Sequence, residues 1–163
     1  FLSTIDYCDG ELTLAARSDS AEFQTRAASA GAKIVPFCFV GDHFVFSRGS
    51  LNDADGLFFI DTGLAGGGVT APKATLDAAG ITVDESNPMT GQGGGGAVQF
   101  APFRASVTLG NLTRSDVPGI YILGGNAFAG FPFKSSGIIS HSFFRESRLT
   151  FDFEAMNLVT ESC

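Results

Sequence analysis

One aspartate in this chain follows an apolar run and precedes a β-branched hydroxyl and a glycine. Residues 56–64 read Gly-Leu-Phe-Phe-Ile-Asp-Thr-Gly-Leu, with the carboxylate at Asp61. An apolar run bounded by turn residues predicts a buried strand. Burying an ionised carboxylate at the end of such a strand is costly unless it is paired or solvated. Asp61 is therefore a candidate for acid–base chemistry. The alternative is that Asp61 only begins a turn, for which Asp and Gly are common.

Two later segments are also rich in apolar residues interrupted by polar ones. Residues 137–144 read Gly-Ile-Ile-Ser-His-Ser-Phe-Phe, and residues 149–153 read Leu-Thr-Phe-Asp-Phe. Residues 60–63, Ile-Asp-Thr-Gly, resemble the Asp-Thr-Gly active-site loop of aspartic peptidases, both retroviral and pepsin-like. The two later segments resemble the part of that family where an apolar pair and a glycine lead into a short helix and a final strand. The resemblance is clearest with bacterial retropepsin-like proteins and covers residues 33–160.

The resemblance implies a mostly β protein: a retropepsin-like (acid protease) closed β-barrel lobe with one or two short helices. It implies an aspartic endopeptidase that hydrolyses peptide or protein substrates with a pair of aspartates. Asp61 would be one member of the pair, Thr62 would lock two loops together through its hydroxyl, and Gly63 would let the loop backbone approach the carboxylates. The chain has a single Asp-Thr-Gly, so the second aspartate must come from a second lobe or a homodimer partner.

Two residues depart from the family pattern. Leu64 follows Gly63 where the family has a small residue, and Ser140 stands where the apolar pair is followed by glycine. Both keep open a different function, in which the domain is catalytically silent and only binds or dimerises.

A glycine-rich segment predicts a mobile cover over a cleft, because a flexible hairpin tip is what a lid requires. It leads into residues 103–109, whose apolar and polar residues alternate as in a half-buried strand. In the family resemblance this segment is the flap, which binds substrate through Gly91, Gln92, Gly93, Gly94, Gly95 and Gly96. The alternative is a disordered surface loop. A second glycine run, residues 66–68, lacks the Lys and Ser/Thr of a phosphate-binding loop.

The remaining elements follow from periodicity and turn residues. Residues 34–40 and 43–47 predict a hairpin, residues 48–55 a polar connection, and residues 117–123 a further strand. Pro36 must lie at an edge or a bulge because it cannot donate to a ladder. A helix is expected over 71–79, with Thr70 as its N-cap and Gly80 after its end, and a short helix over 141–146. The Phe-rich residues 124–133 are expected to line the cleft or an interface.

The two ends of the chain resemble each other. Asp6 and Asp152 lie in similar strand–turn–strand patterns 146 positions apart (152 minus 6), and Leu12 and Leu158 have the same separation. This similarity predicts that the chain is the second repeat of a two-repeat protein. Residues 1–16 would then be a terminal hairpin left from a preceding repeat, residues 17–32 a linker with a helical turn after Ser20, and residues 33–163 the aspartic-peptidase-like lobe.

Composition excludes several classes of function. A formal charge of −7 argues against a nucleic-acid surface, which needs clustered Lys and Arg. No apolar run approaches the length of a membrane span. The three cysteines, Cys8, Cys38 and Cys163, fit no metal pattern, and no motif indicates a metal or a cofactor. The three cysteines allow either one disulfide with a free thiol or three free thiols. The cellular location of the protein therefore stays open, and a periplasmic or extracellular location is favoured. His43 and His141 lack a nucleophile motif and are interpreted as structural.

Overall fold

Most of the chain forms β-strands, as its many short apolar runs predict. The structure, a computed structural model, describes residues 1–93, 95–125, 131 and 133–163. Its strands are β1 (Leu2–Asp6), β2 (Glu11–Ala15), β3 (Lys33–Pro36), β4 (Cys38–Val40), β5 (Phe44–Leu51), β6 (Ala54–Asp61), β7 (Val69–Thr70), β8 (Met89–Gly93), β9 (Gly96–Leu109), β10 (Leu112–Ile122), β11 (Gly137–Ser140), β12 (Ser147–Asp152) and β13 (Asn157–Ser162). Its helices are α1 (Ser20–Ser29), α2 (Lys73–Ala78) and α3 (His141–Phe144), with a 3₁₀ turn at Arg17–Asp19.

Eight strands form a sheet that closes into a barrel. Their order is β4-β5-β6-β11-β7-β10-β9-β8, and β5 also pairs with β9, which completes the ring. Two pairs in the ring, β6 with β11 and β7 with β10, are parallel. The expected mostly β, closed-barrel lobe with short helices is therefore confirmed.

Strand β6 places its side chains on two faces, because successive residues of a strand point to opposite sides. Phe58 and Ile60 are buried in the barrel core with residues such as Val107 and Ile139. Asp61 belongs to the other row of β6 side chains and ends the strand half-buried. The apolar run thus builds the core and delivers the carboxylate at its edge.

Five antiparallel strands form a second sheet, in the order β2-β1-β12-β13-β3. Both ends of the chain lie in this sheet, because β1 pairs directly with β12. The predicted terminal hairpin is present as β1 and β2. Its origin in a preceding repeat stays a prediction.

The single strand predicted over 34–40 is wrong. The chain leaves one sheet after Pro36 and enters the other at Cys38, so β3 and β4 are separate strands. Between them the amide of Phe37 donates to the carbonyl of Met156 at 3.0 Å. As predicted, Pro36 lies on an edge strand, where a missing amide costs no ladder bond.

The polar connection predicted over residues 48–55 is also wrong, since most of it is strand. Leu51 pairs with Ala54 across a two-residue turn, and Asn52 in that turn has a φ of 49°. The polar residues misled the prediction because they lie on the outward row of β5 and β6. Gly49 is required there, because a Cβ at that position would lie 2.1 Å from the carbonyl oxygen of Thr108.

A ten-residue helix, α1, occupies the segment predicted to be a linker with one helical turn. It buries only Ser20 and Ala27, so its sequence carries no apolar stripe. Polar contacts attach it to the sheet instead: the Ser20 hydroxyl and the Gln24 amide donate to Asp152 Oδ2 at 2.7 and 2.8 Å. Such contacts depend on a distant residue and leave no local pattern.

Helix α2 has the predicted end but not the predicted start. Thr70 is not its N-cap; it lies in β7, and the helix begins after Pro72 with no side-chain cap. At the other end the amides of Gly80 and Ile81 donate to the carbonyls of Asp77 and Leu76. Gly80 has a φ of 67°, as expected of the left-handed residue in this helix-ending motif. The short helix predicted at 141–146 is confirmed as α3.

One disulfide and one free thiol resolve the alternatives left by the cysteines. Cys8 bonds to Cys163 across 155 positions, and Cys38 is free and exposed. Among the described residues, no helix is long and apolar enough to cross a membrane.

Asp152 is expected to make the stability of the five-stranded sheet depend on pH. Burial raises the pKa of Asp152, but hydrogen bonds from Gln24, Ser20 and two backbone amides outweigh it and hold the pKa below its usual value. A lowered pKa contributes stability above the unfolded-state value of about 3.9, and that stability is lost as pH falls through the folded-state value. We expect Asp152→Asn to lower the free energy of unfolding at pH 7 by about 1–3 kcal/mol.

The measurement is denaturant unfolding between pH 7 and pH 2.5. The wild type should lose stability below about pH 4, and Asp152→Asn should lose less over the same interval. Asp53→Asn, at an exposed turn position, is the matched control and should follow the wild-type profile. Equal pH dependence in Asp152→Asn and wild type would contradict the assignment.

Candidate active site

Asp61 lies at the point where β6 ends beside β11. It pairs with Ser140, the last residue of the parallel strand β11. Its Oδ1 accepts a hydrogen bond from the amide of Gly63 at 3.0 Å, and its carbonyl accepts one from the amide of Leu64 at 3.2 Å. These bonds hold the half-buried carboxylate against its own loop. The remaining oxygen, Oδ2, makes no hydrogen bond within the described part of the chain.

Gly63 lies close to this carboxylate. A Cβ at position 63 would lie 3.3 Å from Asp61 Oδ1, which is tighter than ordinary van der Waals contact. A side chain at position 63 would therefore require the Asp61 carboxylate to shift by a few tenths of an ångström. The role that the family resemblance implies for Gly63 stays a prediction.

The loop after Asp61 is bound by residues at the start of α3. Four of its carbonyl oxygens accept hydrogen bonds from three consecutive residues, 140–142. The bonds run from His141 Nδ1 to Leu64 (2.8 Å), from Ser142 Oγ to Gly66 (3.1 Å), from Ser140 Oγ to Gly67 (2.6 Å) and from the Ser140 amide to Gly68 (3.0 Å). Carbonyls bound in this way fix the path of the backbone that carries the carboxylate.

Ser140 explains one departure from the family pattern. It is fully buried, and its Oγ accepts the amide of Ser142 at 3.1 Å while donating to Gly67. The hydroxyl thus caps α3 and binds the active-site loop at once. Sequence reasoning noted Ser140 only as a departure and missed its contact with the loop. The available signal was a serine directly before a short helix, the pattern of an N-cap.

We expect Ser140→Ala to lower the free energy of unfolding by about 1–3 kcal/mol. The substitution leaves the Gly67 carbonyl and the Ser142 amide without this partner in a buried place. Thermal or denaturant unfolding measures the change. Ser142→Ala, which removes an exposed hydrogen bond to the Gly66 carbonyl and a longer contact to His141, is the matched control and should cost clearly less. Equal losses in the two variants would contradict the capping role of Ser140.

The two histidines are placed differently. His141 binds the active-site loop through Leu64, and its ring centroid lies 6.4 Å from that of Tyr7. His43 is exposed and contacts its neighbour Asp42. The interpretation of both histidines as structural stays a prediction.

Thr62 is half-buried, and within the described residues its hydroxyl makes no hydrogen bond. Its predicted role, locking two loops together, needs a second loop, and no such contact is present among residues 1–93, 95–125, 131 and 133–163. The hydrogen bonding of two loops through the Thr62 hydroxyl therefore stays a prediction.

The glycine-rich segment forms the tip of a β-hairpin. Strands β8 and β9 pair from Met89 opposite Phe100 up to Gly93 opposite Gly96. Gly91, Gln92 and Gly93 lie on one arm, Gly95 and Gly96 close the tip, and Gly94 lies outside the described residues. The hairpin has the shape expected of a flap. Its position over Asp61 and its contact with substrate stay predictions.

A group of aromatic rings, here called the Phe cluster, lies on the face of β5 and β6 that points away from the barrel core; Phe46 is fully buried in it and the other members are half-buried. Its members are Phe44, Phe46, Phe59, Phe131 and Phe133, and their neighbouring ring centroids lie 5.2–5.6 Å apart. Phe59 precedes Asp61 by two positions, so both side chains leave β6 on the same face. The described part of the Phe-rich segment therefore packs beside the strand that carries Asp61; residues 126–130 and 132 lie outside the described residues.

Fold and site together define a closed β-barrel lobe with an Asp-Thr-Gly loop supported by a short helix. A family model described as Aspartyl protease matches residues 47–131, just over half of the chain. The chain therefore belongs to the aspartyl protease family.

A solved structure agrees with this assignment at the level of fold. The crystal structure of a retropepsin-like aspartic protease from Rickettsia conorii is similar to this chain, with a TM-score of 0.54 and 16% sequence identity. The similarity covers 80% of this chain and 89% of that one. The retropepsin-like fold is thereby confirmed. No curated protein matches the chain.

Proposed function

We propose that this domain is one lobe of an aspartic endopeptidase and that Asp61 is one of the two catalytic carboxylates. The observation that carries the proposal is the presentation of Asp61 at the end of β6. Its Oδ1 is held by the amide of Gly63, and its loop is fixed through four backbone carbonyls. A carboxylate held this rigidly, with one oxygen left open, suits a group that must meet a substrate in a defined geometry.

The chemistry requires a second carboxylate beside the first. Two carboxylates so close cannot both ionise, so they share one proton. The ionised member takes a proton from the attacking water, and the protonated member donates to the carbonyl oxygen of the peptide bond. Asp61 can serve in either role, and the partner carboxylate comes from a second lobe.

The Phe cluster supports a peptide substrate with apolar side chains. Its member Phe59 lies on the same face of β6 as Asp61, and four of its five rings are half-buried and therefore partly open to a ligand. Binding sites for such ligands are mostly apolar with a few placed polar groups. We propose that peptides with large apolar residues near the cleaved bond are preferred.

The disulfide supports a location outside the reducing cytosol. Disulfides form and persist in oxidising compartments, and Cys8–Cys163 joins the two ends of the chain. We propose a periplasmic or extracellular location for the protein.

The test is cleavage of a peptide library by the complete protein between pH 3 and pH 7. Cleavage should be greatest at acidic to near-neutral pH, where the pair of carboxylates holds one proton. It should be blocked by a peptide analogue in which a tetrahedral hydroxyl replaces the scissile carbonyl, because such an analogue mimics the transition state. No cleavage of any peptide would favour the catalytically silent lobe instead.

A substitution at Leu64 can distinguish a catalytically active lobe from a catalytically silent one. It is half-buried directly after Gly63, where a small residue would leave more room beside the carboxylates. If Leu64 only crowds the site, Leu64→Ala should raise kcat/KM by about tenfold, the effect of relieving about 1.4 kcal/mol of misplacement. Steady-state cleavage of one library substrate measures this. Leu57→Ala, on β6 and outside the loop that carries Leu64, is the control. A loss of activity in Leu64→Ala would contradict the crowding interpretation.

A further inference from the structure

The first and last hairpins of the chain are built in the same register. In the first, Leu2 pairs with Ala15; in the last, Arg148 pairs with Glu161. Adding 146 to both residue numbers of the first pair gives the second pair, and 146 is also the separation between Asp6 and Asp152. The similarity seen in sequence is therefore a similarity of structure, pair by pair.

The contact between the two hairpins is symmetric. Strand β1 pairs with β12 so that Leu2 faces Asp152 and Asp6 faces Arg148. Exchanging each residue for its counterpart 146 positions away converts one of these pairs into the other. At the centre Thr4 faces Thr150, its own counterpart, and their hydroxyls are 2.8 Å apart. A contact in which each side makes the same interactions is that of a twofold axis, and here the axis lies within one chain.

The turns of the two hairpins agree as well. In each, one carboxylate oxygen accepts the amides two and three residues further on. These bonds join Asp6 Oδ1 to the amides of Cys8 and Asp9 (2.9 and 3.2 Å), and Asp152 Oδ1 to those of Glu154 and Ala155 (3.0 and 3.1 Å). The next residue has a positive φ in both turns, 72° at Gly10 and 54° at Met156.

Even the cross-links correspond. The disulfide joins Cys8 to Cys163, and an ion pair joins Glu154 to Arg17. Glu154 is the counterpart of Cys8, and Arg17 is the counterpart of Cys163, each 146 positions away. The same connection is covalent on one side of the axis and ionic on the other.

The two hairpins differ in how deeply their side chains are buried. Leu158 on β13 is fully buried, whereas its counterpart Leu12 on β2 is 68% exposed. Strand β13 pairs with β3 and covers the barrel core. Within the described residues β2 has no partner on its outer edge, and nothing covers Leu12.

We propose that β2 binds a second lobe of the same fold, which precedes this chain in the same polypeptide, and that the lobe's equivalent of β3 pairs with the outer edge of β2. The hairpin of β1 and β2 is then that lobe's closing hairpin, and Leu12 enters its core. A second copy of this chain fits less well, because both halves of the twofold are already present in one chain and the copy's own β3 is paired with β13.

The proposal names the source of the second carboxylate and rests on the proposed function for that point alone. If the 146-position relation holds throughout, the partner aspartate lies about 146 residues before Asp61, in an Asp-Thr-Gly or Asp-Ser-Gly that follows an apolar strand. The gene sequence upstream of Phe1 tests this directly. The absence of such a segment there would overturn the proposal.

Hydrogen exchange tests the pairing itself. In residues 1–163 alone, the outward amides of Glu11–Ala15 should exchange rapidly, because an unpaired edge leaves them open to water. In the complete protein the same peptide should exchange at least tenfold more slowly. Equal exchange in the two proteins would overturn the proposal, and protection of residues 11–15 by self-association of the isolated chain would assign the edge to a second copy instead.

A pair of variants tests the contribution of Leu12. The probe is the polypeptide encoded immediately upstream of Phe1, added to residues 1–163 and followed by sedimentation. Leu12→Lys should weaken association at least tenfold while leaving the Tm of the isolated chain unchanged, because Leu12 is exposed there. Met89→Lys, at an exposed apolar residue away from this edge, should associate like wild type. Equal association in both variants would contradict the assignment of the edge. These readouts do not involve cleavage, so failure of the proposed catalysis would leave them unaffected.

Discussion

Replacing Asp61 with Asn in the complete protein should lower kcat/KM for peptide cleavage by roughly 10²–10⁴-fold, the usual contribution of a positioned general acid or base. Asparagine keeps the shape of the side chain, and its amide oxygen can still accept the Gly63 amide. It has no titrating proton, however, so it can neither activate water nor protonate the peptide carbonyl. The fold should persist, and only the chemistry should be lost.

The control is Asp55→Asn, which makes the same change on the same strand at an exposed position. Its cleavage rate should equal that of wild type, and the Tm of both variants should stay close to the wild-type value. If Asp61→Asn cleaved peptides at an unchanged rate, the activity would belong to another residue or to a contaminant.

Removing the disulfide should have the largest effect on stability. Cys8→Ser opens a loop of 155 positions, and the chain-entropy account gives about 5 kcal/mol for a loop of this length. That value is comparable to the whole stability of many domains of this size. We expect denaturant unfolding of Cys8→Ser to show a loss of about 4–5 kcal/mol, and reduction of the wild type to produce a similar loss.

Cys38→Ser is the matched control, since Cys38 is an exposed free thiol. It should change the free energy of unfolding by less than about 0.5 kcal/mol, as surface substitutions usually do. A loss in Cys8→Ser no greater than in Cys38→Ser would show that the sheet alone holds the two ends of the chain together.

The sequence was sufficient for the parts of the fold whose causes are local. The run ending at Asp61 predicted β6, and Gly80 predicted the end of α2. The glycine-rich segment predicted a hairpin tip. In each case the physical reason, an apolar row or a left-handed residue, lies within a few positions of the element itself.

The errors have non-local causes. Helix α1 depends on Asp152, which lies more than a hundred positions away in the sequence. The hydroxyl of Thr70 does not cap α2, because Thr70 belongs to β7, which pairs with β10 on one side and β11 on the other. Sheet membership also divided residues 34–40 at a point where the sequence is continuously apolar. Tertiary pairing overrode local preference at each of these places.

The candidate site shows the same division. Asp61 and Gly63 could be identified from a short motif, and their mutual geometry follows from three adjacent residues. The support from residues 140–142 could not be predicted, because it joins two segments more than seventy positions apart. Ser140, which departs from the family pattern, is one of the three residues that bind the loop.

The Cys8–Cys163 bond also turns most of the chain into a covalent ring. Exposed hairpin tips are the usual places where a protease cuts a folded protein. Any single cut between Cys8 and Cys163 opens this ring without releasing a fragment. A nicked molecule would therefore migrate as one species on a denaturing gel until the sample is reduced, and its pieces would stay attached to each other.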